Sequence, residues 1–577
     1  MTVYAMGNIA ARCNSCVFFF VAVVLVLLGF GCFASFASAE EFNPRELGWA
    51  RLNISQTWIL EFGAGAVAPP EVFFETYYFP QTPFQRVSLT TSPQAEETSD
   101  KLGNARLHFS FKPGYQKRKK IELNAVAEVN YVGEVAELLA PGDEARYLSS
   151  TELTAPSAEI KTLAQALARD AIDDYDALAR LTEWVKNNVE YDASYWKRAV
   201  PAATVLSEKR GVCNQFATLL ISLLHARGIP ARFAAGLVFS GESWGPHAWV
   251  EAGVLSRDGV RRWLPVDPTF GEAGILDAGH VKFAHGLDQN DVAEVATASV
   301  NVVKGEPRVR VDEKRNFDEL FEVALNAPSV VGAGSAEEVA IAVKSKASEP
   351  VLLPFLVLAP SQPSSLAVRV ADGELRLLYL RPGEEKAASW QLVFPSDLRE
   401  DYAYNFTVGI QGLGKKISTT VQGKAGAESR KLQKLTLSRF NARDEGEREA
   451  FSIVVSNEGN TAFDAVDVIG EFNGIKQRES FSLAPGEGKL VAFSFVKPAT
   501  PGVYSGSFKA RDAVSGASAE QPFQLEITAP QEAGGVALPS LKAWAASIPS
   551  EYVVYAAALI LAAAIVFGIA RSRRALG

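Results

Sequence analysis

Apolar and polar residues alternate with the two-residue period of a β-strand along residues 41–135. Runs such as Val72-Phe73-Phe74-Glu75-Thr76-Tyr77-Tyr78-Phe79 and Arg106-Leu107-His108-Phe109-Ser110-Phe111 are aromatic or alternating, and Pro, Gly and polar clusters bound them. The pattern predicts a β-rich, sandwich-like domain over residues 40–150. From residue 157 the period changes. Ser157 is placed to cap a helix running to about 171, with Glu159 in its first turn. A second helix from Asp174 carries Leu178, Leu181 and Val185 on one stripe and ends near Asn188. A third begins at Arg210-Gly211-Val212-Cys213, buries Phe216, Leu220, Leu223 and Leu224, and stops at Gly228 before Pro230. Strand patterns follow at 232–239, 247–255 and 260–266. Helices followed by an antiparallel sheet predict an α+β core over residues 151–300.

Strand patterns return after residue 301 and predict two more β-sandwiches, over 301–427 and 428–530. The second resembles the immunoglobulin-like modules of microbial surface proteins. Both ends of the chain are apolar. Arg12, the run 17–31 and Ala37-Ser38-Ala39 predict an export signal over 1–39, or a signal anchor if it is not cleaved. Residues 551–571 are long enough, at about 1.5 Å per residue, to cross a hydrocarbon layer of roughly 30 Å. Arg571, Arg573 and Arg574 then place the tail 572–577 in the cytoplasm, with 531–550 as a small-residue linker. The expectation is a single C-terminal membrane anchor with residues 40–550 outside the cytoplasm.

A length of 577 residues exceeds one core and agrees with three or four domains. The net charge of −9 gives no reason to expect nucleic acid as a partner. Cysteine usage matters more. Cys13, Cys16 and Cys32 lie in the signal, so Cys213 is alone in the exterior region and has no cysteine with which to form an internal disulfide.

A thiol at a helix start is favoured as thiolate by the helix dipole and by unpaired N–H groups, which can also hold an oxyanion. His247, in the Pro246-His247-Ala248-Trp249-Val250-Glu251 strand, is the candidate base and acid. Asp267, in Val266-Asp267-Pro268-Thr269, ends the next strand and would orient the imidazole. Gly211 is read as letting the backbone approach substrate. His225 lies twelve residues along the cysteine's helix, roughly 18 Å away, too far to act. His108 has no nameable acidic partner, and His280 and His285 follow in a Gly-bounded stretch without a defined one. No Cys-x-x-Cys pair occurs in the exterior region and His280 and His285 are five apart, so no metal and no cofactor is assigned. Asn53-Ile54-Ser55 and Asn405-Phe406-Thr407 are glycosylation candidates.

Five blocks in order, Asn188-Val189-Glu190-Tyr191-Asp192, Arg210-Gly211-Val212-Cys213, Gly228-Ile229-Pro230-Ala231-Arg232, His247-Ala248-Trp249-Val250-Glu251 and Val266-Asp267-Pro268-Thr269, resemble the transglutaminase-like superfamily. The resemblance implies a papain-like thiol fold with Cys213 as nucleophile, His247 as base and acid, and Asp267 as orienting carboxylate. It also implies that Tyr191, Trp249 and Trp263 shape the pocket. Asn214 and Gln215 follow the cysteine where many relatives have an acidic residue, and no calcium loop is recognisable. The expected function is a membrane-anchored thiol enzyme acting on amide bonds of a protein or peptide at the cell surface, by hydrolysis or by transfer to an amine, with a slight lean to hydrolysis. The alternative is a non-catalytic surface scaffold, against which the presence of all three triad candidates argues.

Overall fold

The computed structural model describes residues 43–62, 71–112, 117–131, 137–361 and 364–527. The expected signal, linker, transmembrane segment and tail lie outside the described residues. Among the described residues no helix is long and apolar enough to cross a membrane.

The N-terminal module is two stacked sheets. Its long strand Leu47–Phe62 buries alternate residues, Leu52, Ile54, Trp58 and Leu60 among them, as the period of two requires. This strand lies between Arg118–Asn130 and the returning strands Val300–Lys304 and Arg308–Asn316. Val295–Ala296, Val72–Tyr77, Ala105–Phe111 and Glu96–Ser99 make the facing sheet, with Trp58 against Phe74 across the core at 5.7 Å. The expected boundary at residue 300 therefore needs correction. Residues 300–316 return to the first module, where Val300, Val302, Val309 and Val311 pack on its core. The third module's own strands begin with Phe321–Asn326.

In the α+β module, Ser157 accepts from the Ile160 N–H at the start of helix Ala158–Leu167, and Asp173 accepts from the Asp176 N–H before helix Asp174–Asn188. Helix Cys213–Ala226 follows, and Gly228, at φ +71°, turns the chain after it. Every residue from Gln215 to Leu224 is buried, so this is a central helix rather than one with a single apolar stripe. Helices Ala158–Leu167, Asp174–Asn188 and Ala202–Glu208 surround it, and a sheet closes the remaining side.

That sheet runs Glu272–Ala273, Arg261–Asp267, Trp244–Leu255, Ala231–Phe239, His280–Gly286, all antiparallel. Its two faces have different neighbours. Ala248, Val250 and Ala252 join the core around the cysteine's helix, whereas Trp249, Ala234 and Val281 join the core of the N-terminal module. Coverage on both sides explains why these strands are apolar almost throughout. Truncating the fully buried Trp249 to Ala would cost about 3–5 kcal/mol.

The remaining residues form two further sandwiches. Sheets of four and five strands enclose Phe355, Trp390 and Phe394. Sheets of three and four strands enclose a phenylalanine cluster that includes Phe440, Phe451, Phe472 and Phe523. Of the glycosylation candidates, Asn405 is exposed on strand Tyr404–Gln411, and Asn53 is half-buried on the long strand of the first module.

Candidate active site

Cys213 is the first residue of its helix, after the extended Val212. Gln215 folds back over the start of the helix. Its Oε1 accepts from the Val212 N–H at 3.0 Å and its Nε2 donates to the Arg198 carbonyl at 2.7 Å. These bonds secure the turn that carries the thiol and leave the first helical amides without a carbonyl one turn back. Gly211 has a packing role in this turn, since a Cβ there would lie 2.3 Å from that of Gln215.

His247 lies opposite Gly236 in the paired strands, and its Nε2 is 2.7 Å from Asp267 Oδ2. This leaves Nδ1 turned away from Asp267 toward the Cys213 side of the cleft, where Cys213 Sγ donates to Asn214 Oδ1 at 3.8 Å. Phe270 stacks on the imidazole with centroids 4.9 Å apart and planes 18° apart. Burial alone would lower the pKa of His247. The charge and hydrogen bond of Asp267, helped by Cys213, reverse this and push it up to about 9.

Asp267 has no exposure and every acceptor site occupied. Oδ1 takes the N–H groups of Thr269 and Phe270 at 2.7 and 3.1 Å, and Oδ2 takes His247 and His280 at 2.7 and 3.1 Å. Burial opposes its charge, but the two imidazoles overcome that and hold the carboxyl well below the usual range. The structure thus brings the three triad candidates together at one cleft of about 280 Å³, lined by Cys213 and His247 with Asp267 behind.

The other pocket candidates lie elsewhere. Trp263 is buried beneath the Arg232 guanidinium, 4.2 Å from its ring centroid, and edge-on to Tyr147, away from the cleft. A strand tryptophan gives the same sequence signal whichever face it takes. Trp249 is fully buried behind the site, its ring 6.4 Å from that of His247, so it supports the base rather than lining the cleft. Tyr191 is 57% exposed at the rim. Burial and then the charge of Cys213 raise its hydroxyl pKa, and its ring lies 6.5 Å from that of Phe216. Sequence reasoning missed Trp196, Asn214, Phe233 and Phe283 as lining residues, and missed Thr76, Tyr77, Glu294 and Lys304, which the N-terminal module and its returning segment contribute.

Two histidine readings also change. His108 has an acidic partner, Glu75, at 2.9 Å across paired strands. His280 has two. Its Nε2 meets Asp267 Oδ2, and its Nδ1 meets Asp277 Oδ1 at 3.1 Å. His225 instead meets Ser150, and His285 meets the Tyr147 hydroxyl. The ligand atoms of His247, Asp267 and His280 lie within 4.8 Å of one another, as do those of Glu272, Asp277 and His280. In the first group both imidazoles share Asp267 Oδ2, and in the second His280 meets Asp277 while Glu272 Oε2 accepts from the Asp277 backbone N–H.

Residues 161–268 match the transglutaminase-like superfamily model. This segment is a transglutaminase-like core. No curated protein matches the chain. Among solved structures, a candidate cysteine protease from Cytophaga hutchinsonii is 23% identical, with 47% of this chain and 92% of that one covered and a TM-score of 0.36. Red sea bream transglutaminase is 12% identical, covering 85% of this chain and 94% of its own at a TM-score of 0.18. The CARDB domain of a Pyrococcus furiosus protein is 17% identical, with 17% and 89% covered and a TM-score of 0.14. The cleft of the transglutaminase-like core is also lined by residues of the module before it, Thr76 and Tyr77, and of the segment after it, Glu294 and Lys304.

Proposed function

We propose that the chain is a thiol enzyme that opens amide bonds of a protein or peptide through a thioester on Cys213. The observation that carries this reading is the meeting of a helix-start thiol, an imidazole and a buried carboxylate at one cleft. Sγ, as thiolate, adds to the amide carbon while the first helical amides hold the oxyanion. The His247 imidazolium gives its proton to the leaving nitrogen, the C–N bond breaks, and a thioester and a neutral imidazole remain. Water then attacks the thioester. His247 takes a proton from it, the carboxylic product leaves, and the thiolate–imidazolium pair is restored. Asp267 holds the ring by Nε2 throughout, so that Nδ1 faces the sulfur.

Hydrolysis is favoured over transfer to an amine by the charges around the cleft. Glu294 is the one carboxylate among the described lining residues, and it is engaged by Trp58 Nε1, Thr76 Oγ1 and Lys304 Nζ. With Glu294 and Lys304 paired, Lys197 is the lysine cation left at the described cleft and would repel a lysine ammonium. Incubation of a glutamine-containing protein with a labelled primary amine tests the choice. The proposed enzyme yields free carboxylate or new chain ends with little label, whereas dominant amine incorporation overturns the hydrolytic reading.

The apolar terminal segments support a place outside the cytoplasm, anchored by residues 551–571, with a surface protein or peptide as substrate. Protease added to intact cells should then degrade the Cys213 domain, and protection until lysis would refute this placement.

A further inference from the structure

Two imidazoles share one carboxylate oxygen in this site. His280 opens the edge strand His280–Gly286, which pairs with Ala231–Phe239 on the side away from the His247 strand, and its ring reaches Asp267 Oδ2 with no solvent exposure. Both of its nitrogens meet carboxylate oxygens, Asp267 Oδ2 on one side and Asp277 Oδ1 on the other, each at 3.1 Å. An ionised carboxylate only accepts, so both nitrogens must carry hydrogen and the ring is an imidazolium. The rings of His247 and His280 are 6.1 Å apart, close enough for a charge on one to act on the other.

We infer that His280 is a positioning residue for the reaction, a fixed second imidazolium that holds Asp267 by Oδ2 and draws part of its charge away from His247. This inference rests on the reading of Cys213 and His247 as nucleophile and base. The chemistry gives the arrangement a purpose. A buried carboxylate paired with His247 alone would hold the proton on that ring strongly, yet His247 must release it to the leaving nitrogen in each cycle. A second cation on the same oxygen moderates that hold while keeping the carboxylate ionised and aimed.

The surroundings are consistent with a charged His280. Asp277 lies on the preceding loop, and Glu272 sits behind it with its Oε2 accepting from the Asp277 N–H. Burial and then Asp277 push Glu272 up toward its neutral form. Arg45, from the N-terminal module, approaches Glu272 at 3.5 Å. Lys186 donates to the Thr269 carbonyl on the far side of Asp267. The ring of Tyr131 stands edge-on at 6.4 Å, and the uncharged rings of Trp249 and Phe270 complete the enclosure. Burial disfavours charge on His280, but Asp277 and the hydrogen bonds to both carboxylates hold its pKa well above the ordinary value.

The full chain contains five histidines, so selective ¹⁵N labelling with the His280→Gln variant for assignment resolves this ring. The expected result is two protonated nitrogens on His280 in the unreacted protein from pH 6 to pH 8, and a single neutral tautomer at pH 7 would overturn the inference. The second arm is the pH titration of the His247 ring by its ¹⁵N shifts. His280→Gln keeps a donor for Asp267 but removes the charge, so the His247 titration should move up by about one pH unit. An unmoved titration would mean a structural role and would overturn the inference. Neither arm needs a substrate. A wild-type Cys213 inert to iodoacetamide at every pH would refute the function reading, while the ring's charge state would still decide the inference.

Discussion

Phe270 lies stacked on the His247 ring, centroids 4.9 Å apart, while its own backbone N–H donates to Asp267. One residue thus fixes the carboxylate and covers a face of the base that the carboxylate orients. Phe270→Ala keeps the amide and loses the cover. Turnover should fall by about tenfold or more with KM little changed, because a loosened ring misses the reacting geometry. Steady-state kinetics on an acyl ester checks this, and unchanged turnover would show that the stacking has no part in catalysis.

Asp267→Asn should retain the fold and lose about 10⁴ in rate, the size of the effect in the serine-protease precedent, since an amide can present a donor to Nε2 and favour the wrong tautomer. Single-turnover acylation, with circular dichroism as the control for folding, measures the loss. His225→Ala should leave the rate nearly unchanged, since that ring hydrogen-bonds Ser150 away from the cleft.

The pH dependence follows from two opposed shifts. The folded pKa of His247, about 9, lies above the ordinary 6.5, so its charge stabilises the fold fully below about 6.5, and that contribution is lost as pH rises through about 9. The folded pKa of Asp267 is depressed, so its contribution is present above the ordinary carboxyl range and is lost as pH falls toward the folded value. Amide turnover, which needs the His247 imidazolium to protonate the leaving nitrogen, should decline through the same pKa of about 9. Measured from pH 5 to pH 10, denaturant midpoints should lose the His247 contribution between about pH 6.5 and 9, and turnover should fall through about pH 9.

Gly236 faces the site from the neighbouring strand without lining chemistry of its own. A Cβ there would fall 2.1 Å from the Val281 carbonyl oxygen and 2.6 Å from the Trp249 ring. Gly236→Ala should therefore destabilise by about 1–3 kcal/mol through overpacking and displace the ring behind His247. Equilibrium unfolding measures the first effect, and the alkylation rate of Cys213 measures the second.

What could be read from the sequence was local. Cys213 announces itself by position, alone and at a helix start, and His247 and Asp267 fall at the head and end of consecutive strands whose antiparallel pairing joins them. His280 could not be read in the same way. Its approach to Asp267 depends on the edge strand joining the far side of Ala231–Phe239, an order that hydrophobic period does not encode. The return of residues 300–316 to pair with Leu47–Phe62 is likewise a contact across more than 200 positions, and it moved the expected domain boundary. Trp263 and Trp249 show the limit for single residues. Each is an aromatic in a strand, and only the packing of the sheet between a helix layer and a second module decides which neighbours each one meets.

The most direct test is the covalent one. The purified protein, mixed with an activated acyl ester and quenched in acid, should gain a single acyl group that peptide mapping places on Cys213 and that hydroxylamine removes. Cys213→Ala should gain none, and His247→Ala should acylate at least a hundredfold more slowly, within the range of about 10²–10⁴ expected for a lost general base. Acylation elsewhere with Cys213 unmodified, or equal labelling of the Cys213→Ala variant, would contradict the account.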